Sequence, residues 1–134
     1  MARILLIDDD LQAAGMLGQW LGCYGFEVET VSQPAEALRR LQREEYQLAL
    51  CSLTIEDPLY PTGLELALAI AASKPASSGM PVVLTAPEDL GASEWRRLRR
   101  HGVDFISKYH SLEGWAKKIQ SLLATGNEKR GAAE

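Results

Sequence analysis

The residues of this chain that could do chemistry stand where short apolar runs stop. Asp8, Asp9 and Asp10 follow the run from Arg3 to Ile7, Ser52 falls near the end of the run from Leu48 to Leu53, Thr85 closes the run from Val82, and Ser107-Lys108 follows Phe105. Adjacent carboxylates repel one another unless a cation is supplied, because like charges a few ångströms apart cost free energy and raise a pKa. Mg²⁺ is one such cation, since it is held by a carboxylate or two together with waters and a substrate phosphate. Lys108 is another. A third reading is a solvated acidic turn at a helix start, where carboxylates favour the positive end of the helix dipole.

These residues share a site only if the chain gathers its strand ends, and the sequence alternates in a way that does this. β-rich apolar runs alternate five times with helical patterns, which predicts parallel strands joined by crossover helices. Strands are expected at Arg3 to Ile7, Phe26 to Val31, Leu48 to Leu53, Val82 to Thr85 and Phe105 to Ser107. The first helix is expected from Leu11 to Tyr24 with Ala13, Met16, Leu17, Trp20, Leu21 and Tyr24 on the packed side, stopped by Gly25. Pro34 opens the second, the third runs from Leu64 to Ser73, Trp95 and Leu98 mark a fourth before Gly102, and Ser111 is the expected N-cap of a fifth. In an open α/β sheet, ligands collect beyond the carboxyl ends of the strands, where the candidate residues lie.

Composition narrows the classes. A chain of 134 residues with 46% hydrophobic and 24% charged side chains suits one globular domain. Residues 1–124 are expected to form it, with a frayed tail over 125–134. The longest apolar stretch, from Leu64 to Ala72, is too short for a membrane span. The start carries no secretory pattern and two cysteines make no disulfide framework, so the cytoplasm is the expected compartment. Cys23 and Cys51 read as small apolar fillers. His101 and His110 lack metal-ligand spacing.

The runs RILLIDDD, YQLALCSL, GLELA, PVVLTA, GVDFISK and SLEGWAKKIQSLL together resemble the receiver domain of two-component response regulators, over about residues 2 to 124. The resemblance implies a doubly wound five-stranded parallel sheet in the order 2-1-3-4-5, flavodoxin-like, with helices one and five on one face and two, three and four on the other. It also implies that Asp8 and Asp9 form the acidic pocket for Mg²⁺, that Thr85 and Lys108 contact a phosphoryl group, and that Phe105 is the switch aromatic. The position where such receivers carry the phosphoaccepting aspartate is held by Ser52. A serine hydroxyl forms no acyl phosphate and adds no negative charge to a metal shell. Asp9 is left as the main protein ligand, and any Mg²⁺ binding is expected to be weak. Tyr109 stands where the family has a proline, and the loop after the third strand is about three residues longer than usual.

The expected function is a stand-alone atypical receiver in phosphorelay signalling, without enzymatic activity. It is not phosphorylated on aspartate and acts by protein–protein contact, with Lys108 paired to Asp8 or Asp9. One alternative keeps phosphorylation through Asp57 or Glu56 in the long loop. Another is a flavodoxin-like cofactor-binding protein, against which the three aspartates argue, because they would repel a phosphate without metal. The expected partners are a histidine kinase, a phosphotransfer protein or a downstream effector. Gly15, Gly18 and Gly22 are read as one outward, smooth face of the first helix. Arg96, Arg97, Arg99 and Arg100 mark a second face, suited to an acidic protein or to a homodimer through helix four, strand five and helix five. Residues 1–94 carry 5 basic and 14 acidic side chains, and residues 95–118 carry 7 and 2, so the basic patch is local. With no DNA-reading module in an acidic chain, nucleic acid is not an expected partner.

Overall fold

The computed structural model describes residues 2–73, 79–87 and 89–133, with side chains described through residue 125. Five strands and five helices alternate: β1 (Arg3–Ile7), α1 (Leu11–Gly22), β2 (Glu27–Val31), α2 (Pro34–Arg43), β3 (Leu48–Ser52), α3 (Gly63–Ala72), β4 (Val82–Ala86), α4 (Ala92–Arg100), β5 (Asp104–Ser107) and α5 (Leu112–Ala133). The strands form one parallel sheet in the order β2-β1-β3-β4-β5. Among the described residues, no helix is long and apolar enough to cross a membrane. The backbone of α5 continues to Ala133, through most of the stretch expected to fray, and the side chains there lie outside the described residues.

The central strands read as unbroken apolar runs because both their faces are covered. Every residue of β3 is buried, and so is every residue of β4. Alternation along β1 divides the core in two. Ile4 and Leu6 join Leu21, Trp115 and Ile119 under α1 and α5, whereas Leu5 and Ile7 join Leu41, Leu66, Ile70 and Leu98 under α2, α3 and α4.

Local signals end the helices as anticipated at several points. Gly25 takes φ 89° and Gly102 φ 69°, left-handed conformations that glycine adopts without a Cβ penalty. The Ser111 hydroxyl accepts the Gly114 amide at 3.0 Å. Thr62 and Glu65 cap α3 reciprocally, and Glu65 also pairs with Arg97 of α4 at 3.3 Å.

The rotation of α1 differs from the expected one. Ala14 and Leu21 are its buried residues, Leu17 and Trp20 pack partly, and Met16 is 67% exposed. The inward stripe is therefore Ala14, Leu17, Gly18 and Leu21, which also obeys helical spacing. Gly18 belongs to this side and not to an outward glycine face: a Cβ there would touch Val28 at 3.4 Å. Gly15 and Gly22 do face open space. Because α1 is apolar nearly all round, spacing alone left two stripes available, and close approach to β2 selects the one with the small residues.

Candidate functional site

The register puts the candidate residues side by side. β1 lies between β2 and β3, Ser52 stands opposite Thr85, and Ala86 stands opposite Ser107, so the ends of β1, β3, β4 and β5 share one rim. Lys108 is held there by its own amide, which donates to the Ala86 carbonyl at 2.7 Å. The peptide bond before Tyr109 is trans, like every other described bond.

Asp8 is 4% exposed. One of its carboxylate oxygens accepts the Asp10 amide at 3.0 Å, and the other faces the Lys108 ammonium at 3.7 Å. Burial pushes the Asp8 pKa upward and the neighbouring charges of Asp9 and Asp10 add to this; the Asp10 amide and Lys108 oppose it. Lys108 thus pairs with Asp8, while no ion pair joins it to Asp9 among the described residues. Asp10 serves the backbone, capping α1 by accepting the Ala13 amide at 3.1 Å.

Ser52 is fully buried. Its hydroxyl accepts from Lys108 Nζ at 3.3 Å and lies 2.8 Å from Thr54 Oγ1. Thr54 in turn donates to Asp9 Oδ1 at 3.4 Å. The hydrogen bonds form one directed chain from ammonium to carboxylate, through Ser52 and Thr54. Thr54 was not singled out in the sequence. The chain turns after Ser52, with the Thr54 amide donating to the Ser52 hydroxyl at 3.4 Å, and a hydroxyl two residues beyond a serine at a strand end was the available signal.

Thr85 and Phe105 lie apart from this chain. The Thr85 hydroxyl donates to the Cys51 carbonyl at 3.5 Å. Phe105 is half-buried and meets Trp95 of α4 edge-on, with centroids 5.1 Å apart. In the long loop, Asp57 turns its carboxylate into its own backbone, accepting the Leu59 amide at 2.9 Å, and Glu56 is exposed. Gly63 closes this loop against the site, because a Cβ there would stand 1.8 Å from the Ser52 carbonyl oxygen. Arg97 is paired to Glu65, while Arg96, Arg99 and Arg100 have no ion pair among the described residues.

The donor set suits Mg²⁺ poorly. Of the two carboxylates at the rim, the one on Asp8 is already neutralised by Lys108, and the third position offers an uncharged hydroxyl that a cationic ammonium occupies. Among the described residues there is no group of three or more acidic, histidine or cysteine side chains able to hold a metal.

A doubly wound sheet with an acidic pocket, a lysine and hydroxyls at its carboxyl rim defines a receiver-type signalling domain. The sequence profile of the response regulator receiver domain matches residues 4–120, and the chain belongs to that family. It is similar to the transcriptional regulatory protein GlrR of Escherichia coli (strain K12), with 35% identity over 83 residues covering 62% of this chain and 17% of GlrR. It is also similar to the transcriptional regulatory protein CpxR homolog of Haemophilus influenzae, with 42% identity over 50 residues, 37% of this chain and 22% of that protein. The chain spans about a fifth of the length of these relatives.

Among solved structures, a CheY-like receiver domain protein from Methanospirillum hungatei JF-1 superposes with a TM-score of 0.82 at 24% identity, covering 96% of this chain and 98% of that one. The Vibrio cholerae chemotaxis protein CheY4 gives 0.76 at 23% identity, covering 91% and 98%. These two establish the fold.

Proposed function

We propose that this receiver signals without an aspartyl phosphate and works by binding a protein partner. The observation that carries the reading is Ser52: uncharged, fully buried, at the end of β3, and bonded to the same Lys108 that neutralises Asp8. A buried carboxylate is tolerated only when it is paired and hydrogen-bonded. Here the lysine supplies the positive charge beside Asp8 that a metal would otherwise supply. The site works as a binding module, with weak Mg²⁺ affinity at most, in a cytoplasmic regulator.

Two surfaces suit a partner such as a histidine kinase, a phosphotransfer protein or an effector. The outward side of α1 at Gly15 and Gly22 lets another helix approach closely. The guanidiniums of Arg96, Arg99 and Arg100 on α4, which have no ion pair among the described residues, favour an acidic protein surface, or a second copy docked through α4, β5 and α5. The test is incubation with Mg²⁺ and acetyl phosphate, followed by intact mass before and after hydroxylamine, which strips acyl phosphates. Ser52→Asp is expected to gain a hydroxylamine-labile phosphate and the unmodified chain none. A labile phosphate on the unmodified chain, at Asp57 or Glu56, refutes the proposal.

A further inference from the structure

Beside the buried Ser52 stands a second hydroxyl that is open to solvent. Thr54 is exposed, and its Oγ1 lies 2.8 Å from Ser52 Oγ and 3.4 Å from Asp9 Oδ1. We propose that Thr54 is a phosphoryl acceptor, taking the group as a phosphate ester from an acyl phosphate donor. The inference rests on the reading above, in which Ser52 leaves the rim without an acceptor that forms an acyl phosphate.

Three features favour Thr54 over Ser52. The Ser52 side chain is fully buried, whereas Thr54 is on the surface at the same rim. The Ser52 oxygen is already occupied, accepting from Lys108 Nζ at 3.3 Å and from the Thr54 amide at 3.4 Å. The Thr54 hydroxyl hydrogen points to Asp9, a carboxylate that no lysine or arginine neutralises among the described residues. A hydroxyl with a neighbouring general base is the usual arrangement for an activated oxygen nucleophile.

The same chain of hydrogen bonds brings a cation near. Two links, 3.3 Å and 2.8 Å, separate Lys108 Nζ from Thr54 Oγ1. The flexible ammonium can therefore follow the phosphoryl oxygens as their charge develops.

In the step, Thr54 Oγ1 forms a bond to phosphorus while the bond from phosphorus to the acyl oxygen breaks, and the donor leaves as a carboxylate with the electron pair. The hydroxyl proton passes to Asp9 Oδ1 and from there to solvent. An acyl phosphate is a mixed anhydride and the product an ordinary ester, so the transfer runs downhill. Positioning and electrostatics are most of what a phosphoryl transfer asks of a protein. Asp9 is both base and repulsive charge, and taking the proton removes that repulsion as the phosphoryl group arrives.

The experiment uses the full chain with acetyl phosphate and Mg²⁺, intact mass, hydroxylamine treatment and a peptide map. The expected result is one phosphate that survives hydroxylamine, maps to Thr54 and is lost in Thr54→Ala. The map on the unmodified chain locates the phosphate even if the variant folds poorly. No phosphate on the unmodified chain overturns this proposal and leaves the partner-driven reading standing. A stable phosphate on Ser52, or one that Thr54→Ala retains, also overturns it. A phosphate that hydroxylamine strips overturns the partner-driven reading as well.

Discussion

Replacing Lys108 by methionine keeps a stem of similar length and removes the charge that faces Asp8. At the observed 3.7 Å, two unit charges attract by about 1 kcal/mol in bulk water and about 4.5 kcal/mol at an effective dielectric constant of 20. The carboxylate side of this pair is buried, with 6% of its side chain exposed, and the ammonium side is 33% exposed along a cavity of about 170 Å³ that Asp8 and Lys108 share with Leu17 and Trp115. Solvent on one side screens the pair, which places the loss on Lys108→Met at about 2 kcal/mol, below the 3 to 5 kcal/mol typical of fully buried pairs. For a domain of this size that is a fall in Tm of roughly 5 to 10 °C.

The dependence on pH tests the cause. Burial raises the Asp8 pKa and Lys108 opposes the rise, so removing the lysine raises it further. A carboxyl whose folded pKa lies above its unfolded value costs stability as the pH climbs from the lower value through the higher one, because the unfolded chain gives up its proton first. The deficit of Lys108→Met is therefore full near neutral pH and shrinks in acid, where Asp8 is protonated in both states. Thermal melts or urea titrations of the two proteins across the acid-to-neutral range read it directly. Equal stability at neutral pH, or a deficit that does not change with pH, would refute the pairing as the element that holds the site.

Two further substitutions probe the loop and the first helix. Gly63→Ala drives a Cβ to 1.8 Å from the Ser52 carbonyl oxygen, a backbone atom that cannot step aside, and is expected to cost about 3 kcal/mol or more, measured by urea unfolding; a neutral result would mean that the loop after β3 is not seated on the strand end. Gly15→Ala meets nothing within 4 Å inside α1 and is expected to stabilise the chain by about 0.5 to 1 kcal/mol while weakening any partner that docks on that side; a loss of stability in thermal melts would show that the side is packed.

Much of the architecture was readable from local pattern. The apolar runs of β1, β3 and β4 are continuous because both faces of each strand are covered, and the runs between them repeat at helical spacing, so parallel strands joined by crossover helices follow from local pattern, while the strand order came from the resemblance to receivers. Proline at the head of α2, the serine cap of α5 and the glycines after α1 and α4 act within a few residues of themselves, which makes them visible without tertiary information. The chemical types at the strand ends were visible for the same reason.

What stayed hidden depends on contacts between distant segments. The α1 stripe was ambiguous because the helix is apolar on most of its circumference, and only the approach of Gly18 to Val28 chooses the rotation. Asp8 and Asp9 are neighbours in sequence and equal in type. The chain bends as it leaves β1, so that the first turns inward to Lys108 and the second stays at the surface beside Thr54. Lys108 meets Ser52 across 56 positions of chain, and Thr54 meets Asp9 across 45, because four crossover connections bring the ends of β1, β3 and β5 to one rim. Residue types and spacing determined which groups this protein has for its chemistry; the packing of the sheet decided which of them touch, since a hydrogen bond depends on a few tenths of an ångström that no one-dimensional pattern contains.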